Sequence, residues 1–280
     1  MSLTDLCHSL GISRQAFYQA EARQESRNKD LDQIIEQIRH YRYLMPSIGT
    51  RKLYYLIKPK LEELGLKLGR DGLFDLLRER QLLIKPKRRY TKTTDSKHWM
   101  KKHPNLLKDG MKPKKSNEVY VSDITYLESA EGVHYLSLVT DAYTRQIKGY
   151  ALANDMKADT VVKALHQAVK HSEIAGDTKP IHHSDRGSQY CSDIYQQALR
   201  KHGIQPSMTD GYDCYQNALA ERVNGILKQE FLTTRCQSLS DLDKLVSDSI
   251  RIYNEYRPHL SLGMLTPNQM YEKSKSQLLA

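Results

Sequence analysis

Apolar residues recur at helical spacing through the first 84 residues, which predicts an all-α region. Residues 3–10 and 14–20 are predicted to form two short helices, because Gly11 suits a helix end and Ser13 can cap the helix that follows. This layout is typical of a helix-turn-helix, whose second helix enters a DNA major groove, although a plain helical hairpin has the same pattern. Further helices are predicted over residues 31–44, 51–64 and 70–80.

The pattern changes to extended segments from residue 119. Three apolar and β-branched runs, at residues 119–127, 134–140 and 147–152, predict a meander of three strands. Predicted helices then cover residues 158–172, 193–202, 215–231 and about 240–256, and two further strands cover residues 180–184 and 204–208. The order β-β-β-α-β-α-β-α-α indicates an α/β domain over residues 119–280.

The whole chain has a net charge of +10, and its basic residues are concentrated in the first part. Residues 1–118 hold 26 Lys and Arg against 14 Asp and Glu, whereas residues 119–280 hold 17 and 19. Residues 85–118 alone carry 12 basic and three acidic residues with little periodicity, which predicts an extended basic linker. This asymmetry indicates a polyanionic partner, most often nucleic acid, with a solvated basic face or spacer as the alternative.

Composition excludes several classes of protein. With 39% hydrophobic residues, the chain has enough apolar material for a packed core, so wholesale disorder is disfavoured. No apolar run reaches the ~18 residues that span a bilayer, and the first residues do not form a signal peptide, so no membrane partner is expected. The four cysteines contain no Cys-x-x-Cys pair, which disfavours a structural zinc site and disulfides and favours the cytoplasm.

Three acidic residues stand where structural roles explain them poorly. Asp123 lies within a predicted strand, where aspartate is disfavoured, so its carboxylate needs a partner such as a metal ion. Asp185 ends a short strand, a common position for functional residues in α/β sheets. Glu221 shares one face of a predicted helix with Asn217, Asn224 and Lys228, although for this helix alone a solvated polar face is the simpler interpretation.

These residues lie in motifs that closely resemble the OrfB-type transposases of bacterial insertion sequence family three, which are retroviral-integrase-like proteins. The motifs are residues 122–127 around Asp123, residues 183–190 around Asp185, and residues 217–221 ending in Glu221, with 35 residues between the second and third acids. Lys228 also matches the family pattern, seven residues beyond Glu221. The tail matches at these positions: Tyr253, Asn254, Arg257, Pro258, His259, Leu262, Thr266, Pro267 and Tyr271.

The resemblance implies an RNase H-like (integrase catalytic core) domain over residues 119–280, with a mixed five-stranded sheet and a C-terminal helical tail. A helical DNA-binding region over residues 1–84 and the linker at 85–118 precede this domain. It implies that Asp123, Asp185 and Glu221 are an Asp-Asp-Glu (DDE) triad that holds two Mg²⁺ ions, with Mn²⁺ as a substitute. The implied activity is DNA cleavage followed by strand transfer. A nuclease of the same fold and a DNA-binding regulator with a relic triad are the alternatives.

The implied partners are the terminal inverted repeats of the element and a target, both double-stranded DNA. A homo-oligomer on DNA is expected, and the first-frame protein of the element is a further expected partner or fusion. His182 and His183 are weaker candidates for contact with a metal ion. Packing at the strand end, or a hydrogen bond to a residue that binds the metal, explains them at least as well. The candidate DNA contacts are Lys228, Asn217, Arg14, Arg51, Lys52, Lys87, Arg88 and Arg89. Bound to DNA, the protein is expected at the bacterial nucleoid.

Overall fold

The computed structural model describes residues 2–85, 99–108, 111–172, 179–210 and 217–279. The chain divides into two compact units, Met1–Lys85 and Pro86–Ala280. None of the helices in the described ranges is long and apolar enough to cross a membrane.

The first unit is helical, as the periodicity predicts. Its helices are α1 (Leu3–Ser9), α2 (Arg14–Leu44), α3 (Thr50–Glu63) and α4 (Arg70–Glu79). Ser13 caps α2 by accepting a hydrogen bond from the amide of Ala16. The buried side chains of this unit include Ile34, Ile35, Ile38, Leu53, Leu73 and Leu77.

The helices predicted at residues 14–20 and 31–44 are one continuous helix of 31 residues, so the predicted break was wrong. Residues 21–30 have no apolar stripe, which is why periodicity missed them. They also contain no glycine or proline and include Ala, Glu, Gln, Arg and Lys, which propagate a helix at little cost. Propensity therefore continues the helix where no packing requires it.

The second unit contains the α/β domain. Its strands are β1 (Val119–Ser129), β2 (Gly132–Asp141), β3 (Ile147–Ala153), β4 (Ile181–Ser184) and β5 (Gln205–Met208). Its helices are α5 (Ala158–Lys170), α6 (Ser188–Cys191), α7 (Asp193–Lys201), α8 (Ala218–Ile226), α9 (Leu239–Tyr256) and α10 (Pro267–Leu279). A π-helical turn, Leu227–Phe231, follows α8 directly, and we call it the π turn.

The five strands form one sheet in the order β3-β2-β1-β4-β5. β1 and β3 are antiparallel to β2, whereas β4 is parallel to both β1 and β5. The predicted mixed five-stranded sheet is therefore confirmed. α6 was not predicted, because it is a single turn, whereas α10 lies in the C-terminal tail that is expected to be helical.

Helix α5 lies unusually close to strand β3. A Cβ added at Gly149 of β3 would stand 2.1 Å from the carbonyl oxygen of Ala164 and 2.6 Å from the amide nitrogen of Ala168. The small residues at these three positions let the helix backbone approach the sheet, which seals one side of the core.

Part of the predicted basic linker packs on the sheet. The amide of Met208 donates to the carbonyl of Pro104 (3.2 Å), and the amide of Leu106 donates to Oγ of Ser207 (2.9 Å). Because β5 is an edge strand, residues 103–106 satisfy some of its outward-facing groups. Leu107 packs against a buried cluster that includes Val119. Residues 103–107, within the predicted linker, therefore pack on the second unit.

The close approach at Gly149 makes a prediction for stability. Gly149→Ala should destabilise the second unit by about 1–3 kcal/mol, because the new methyl group must displace helix backbone rather than a flexible side chain. The urea midpoint of unfolding measures this. Gly225→Ala is the matched control: it lies in α8 with open space around its Cβ and should be neutral or slightly stabilising. An unchanged midpoint for Gly149→Ala would contradict the close approach.

Candidate active site

The register of two parallel strands places Asp123 and Asp185 at the same level. Val121 of β1 pairs with His183 of β4, and each aspartate lies two residues further along its own strand direction. Both carboxylates therefore project from neighbouring positions near the carboxyl end of β4, in the middle of the sheet. This edge of the sheet is where α/β folds commonly place functional residues.

The acids influence one another electrostatically. The pKa of Asp123 is raised to about 7, mainly by burial and then by the charge of Asp185, with a smaller contribution from Glu221. Burial and the charge of Asp185 also raise the pKa of Glu221. Like charges disfavour ionisation of their neighbours, so the three carboxylates form one acidic site whose members oppose each other's ionisation.

Polar side chains at the start and near the end of helix α8 donate hydrogen bonds to strand β1. Nδ2 of Asn224 donates to Oδ2 of Asp123 (2.8 Å), and Nδ2 of Asn217 donates to the carbonyl oxygen of Ser122 (3.0 Å). Both asparagines are only 4% exposed. The bond from Asn224 favours the ionised form of Asp123 and fixes the orientation of its carboxylate.

Asn217 was expected to contact the DNA backbone, and its position argues against that role. Its side chain is buried against β1 and its amide group is bonded to Ser122, so it holds the start of α8 on the sheet. The sequence pattern placed Asn217, Glu221 and Asn224 on one face, whereas in the structure the two asparagines are buried and Glu221 is exposed. The pattern could not show that the asparagines pack against a strand instead of facing solvent.

Lys228, on the π turn, also contacts β1. Its Nζ donates to Oγ1 of Thr125 (3.2 Å) and lies 4.1 Å from the ring centroid of Tyr126, which allows a cation–π contact. Burial lowers its pKa. The ammonium group thus lies beside the strand that carries Asp123, two to three residues beyond that aspartate.

The two histidines before Asp185 are buried structural residues. Nε2 of His182 lies 2.7 Å from both Oγ of Ser122 and the hydroxyl of Tyr195, and burial lowers its pKa to about 3. Nδ1 of His183 lies 2.9 Å from Oγ of Ser207. These bonds tie β4 to its neighbours. They agree with the packing interpretation and give neither histidine a place among metal ligands.

A cleft of about 110 Å³ opens at the paired aspartates. Its lining residues are Asp123, Ile124, Thr125, Tyr126, Tyr135, Met156, Asp185, Gly187, Ser188, Gln189 and Tyr190. The lining thus combines two carboxylates with polar, aromatic and apolar residues. Glu221 lies outside this lining, although its charge acts on Asp123.

The donor chemistry fits a divalent cation. Carboxylate oxygens are the ligands that Mg²⁺ and Mn²⁺ prefer, and acids that repel one another gain most from a cation between them. Within the described ranges, however, no three His, Cys, Asp or Glu side chains lie close enough together to hold a metal ion. Asp123 and Asp185 line the same cleft, and Glu221 does not line it.

The other candidate DNA contacts are spread over both units. Arg14 lies exposed in the first turn of α2, Arg51 is exposed in α3, and Lys52 beside it is partly exposed. Lys87, Arg88 and Arg89 lie outside the described residues.

Comparisons with known proteins identify the family. An integrase core domain model matches residues 113–214, and a second integrase core domain model matches residues 202–267. The chain is 34% identical over 273 residues to an insertion element IS600 protein of 31 kDa from Shigella sonnei, covering 96% of this chain and 98% of that protein. It is 30% identical over 204 residues to the transposase InsF for insertion sequence IS3A of Escherichia coli K12, covering 71% and 69%.

Among solved structures, the HTLV-2 integrase catalytic core domain in complex with magnesium is similar, with 19% identity and a TM-score of 0.44. The match covers 56% of this chain and 98% of that domain. The family models and the sheet topology confirm the predicted RNase H-like fold. The chain belongs to the OrfB-type transposases of bacterial insertion sequence family three, and is a DDE transposase, a DNA-acting polynucleotidyl transferase with an integrase catalytic core.

Proposed function

We propose that Asp123, Asp185 and Glu221 are the DDE triad of this transposase and that they act on the ends of its insertion sequence. The observation that supports this most is the parallel register that sets Asp123 beside Asp185, with a raised pKa at Asp123. A pair of mutually repelling acids in a cleft is poorly explained by stability and is typical of a metal-dependent site.

We propose Mg²⁺ as the cofactor, held as two ions, with Mn²⁺ as a substitute. The all-carboxylate donor set supports a hard divalent cation of this kind. When bound, the ions supply Lewis acidity toward the scissile phosphate and its attacking and leaving oxygens. Asp123 and Asp185 would hold them on the sheet, and Glu221 would complete the set from α8.

The chain's own residues position the reaction. Asn224 orients the carboxylate of Asp123 through its 2.8 Å hydrogen bond. Lys228 would offer its ammonium group to a DNA phosphate close to the site, in place of its bond to Thr125. Tyr126, Tyr135 and Met156, which also line the cleft, would restrict water around the reacting phosphate.

The helical first unit and the basic segment after it are proposed to bind the terminal inverted repeats. The excess of Lys and Arg within residues 1–118 supports this assignment, because phosphate contacts dominate DNA affinity. We further propose that the protein acts as a homo-oligomer on DNA in the bacterial cytoplasm, with the first-frame protein of the element as a partner.

The triad assignment is tested by Asp185→Asn, which keeps the shape and removes one charged ligand. End cleavage should fall below detection while end-DNA binding persists. The assay combines labelled insertion-end DNA, Mg²⁺ and the protein, and separates nicked, joined and shifted species. Asp193→Asn is the matched control, since that acid is exposed at the start of α7 and should retain activity.

The products of the wild-type protein decide the reaction class. Nicked and joined DNA together indicate a transposase, nicked DNA alone indicates a nuclease, and a mobility shift alone indicates a DNA-binding regulator. Nicking by Asp185→Asn at the wild-type rate would contradict the triad.

A second prediction concerns stability without metal. The pKa of Asp123 is higher in the folded state than in the unfolded state, so the unfolded chain ionises more readily. The free energy of unfolding therefore falls as pH rises from about 4 through about 7. In EDTA at neutral pH, Asp123→Asn should therefore unfold a few degrees higher than wild type. Mg²⁺ should raise the melting temperature of wild type and not of the variant. Equal responses to Mg²⁺ would place the ions elsewhere.

A third prediction concerns the basic segment. Replacing Lys87, Arg88 and Arg89 by Gln should reduce the log–log salt dependence of DNA binding by roughly 0.9 for each phosphate that is no longer neutralised. Affinity should fall similarly on specific and random DNA, because phosphate contacts carry no sequence information. Binding titrations over a range of salt concentrations measure this. Lys170→Gln, at the end of α5, serves as the single-charge control. An unchanged slope would exclude contacts from this segment.

A further inference from the structure

The tail residues that match the family pattern have no part in the proposed chemistry, yet they form a connected set of buried contacts. We call Tyr253, Asn254, Arg257 and His259 the tail clamp. The hydroxyl of Tyr253 donates to the carbonyl of Arg145 (3.1 Å), and the side-chain amide of Asn254 bonds both the amide nitrogen and the carbonyl of Ile147. These bonds hold the clamp on the turn between β2 and β3.

Arg257 connects the clamp to a different element, the π turn. Its Nε and Nη2 each donate to a carboxylate oxygen of Glu230 at 2.8 Å, a bidentate pair. The two side chains are 2% and 14% exposed. Nη1 of Arg257 also lies 3.0 Å from Nε2 of His259. A charge pair this buried is costly to form, and removing one partner leaves the other charge unpaired, so the pair strongly constrains the turn.

The π turn carries both Glu230 and Lys228. Residues two positions apart on a helix do not face each other, so Glu230 points to the tail clamp while Lys228 points to Thr125 and Tyr126 of β1. π-helical turns are rare and are frequently found at functional sites. The bidentate pair contacts this turn on one side, and Lys228 contacts β1 on the other.

We propose that Arg257 is a positioning residue for DNA engagement: through Glu230 it holds the π turn, and so it fixes the direction of Lys228 beside the triad. The inference rests on the proposed role of Lys228 at a DNA phosphate. Arg257 itself is buried and bonded within the protein, so it touches neither DNA nor the reacting atoms.

The test compares two variants of the ion pair. Arg257→Lys keeps the charge and loses the bidentate geometry, and Glu230→Gln keeps the shape and loses the charge in case the first variant folds poorly. Tyr253→Phe is the matched control, because it removes only the hydrogen bond to Arg145 and leaves the ring over Arg257. All are assayed well below their melting temperatures, at a series of end-DNA concentrations.

Arg257→Lys and Glu230→Gln should raise the DNA concentration for half-maximal cleavage by about tenfold, the effect expected when one charge-assisted hydrogen bond is removed. Tyr253→Phe should lower the melting temperature and leave that concentration within about twofold. If all three variants only lower the melting temperature, the ion pair is merely structural and the inference is overturned.

A double-mutant cycle with Lys228→Ala identifies the route. If Arg257 acts through Lys228, then Arg257→Lys adds little to the half-saturating DNA concentration in the Lys228→Ala background. Fully additive effects would overturn the inference. Failure of the proposed function is distinguishable, because it would appear as wild-type nicking by Asp185→Asn, whatever the behaviour of Arg257.

Discussion

The repulsion between Asp123 and Asp185 is the constraint around which the second unit is arranged. The register of β1 against β4 sets these carboxylates at one level, and burial together with mutual repulsion raises the pKa of Asp123 to about 7. Burial of the Asp123 carboxylate disfavours its ionised form and so costs the folded domain stability. The rest of the domain therefore has to hold two acids at a distance where their charges oppose each other.

Helix α8 and the π turn after it contact the strand that carries Asp123. Asn224 donates to Asp123, Asn217 fixes the first turn of the helix to Ser122, and Lys228 closes the far end on Thr125. The helix is thus tied to β1 along its length by polar side chains. The buried apolar residues of α8 include Val223 and Ala220, and Ala220 packs in one cluster with Val119 and Val121 of β1. Glu221 is held on a helix whose position relative to Asp123 is well defined.

The sequence predicted the elements of the domain and the chemistry of its acids, for reasons that are local. Strands with β-branched runs and amphipathic helices such as α5 carry their period within ten to fifteen residues. The position of Asp123 inside a strand also marks it without knowledge of the fold. The resemblance then linked three acids that are far apart in the chain, which periodicity alone could not do.

The features that were missed depend on distant partners. Glu230 of the π turn pairs with Arg257, 27 residues later, and no local pattern distinguishes this turn from the end of an α-helix. The sequence pattern around Asn217 is the same whether its side chain faces solvent or, as here, packs against Ser122. Residues 103–106 lack periodicity because an edge strand, rather than their own side chains, determines their course. Each of these contacts holds a segment against the sheet or against the helix beside it. The acidic residues of the site can therefore be predicted from the sequence motifs. The contacts that position them can be identified only in the folded structure.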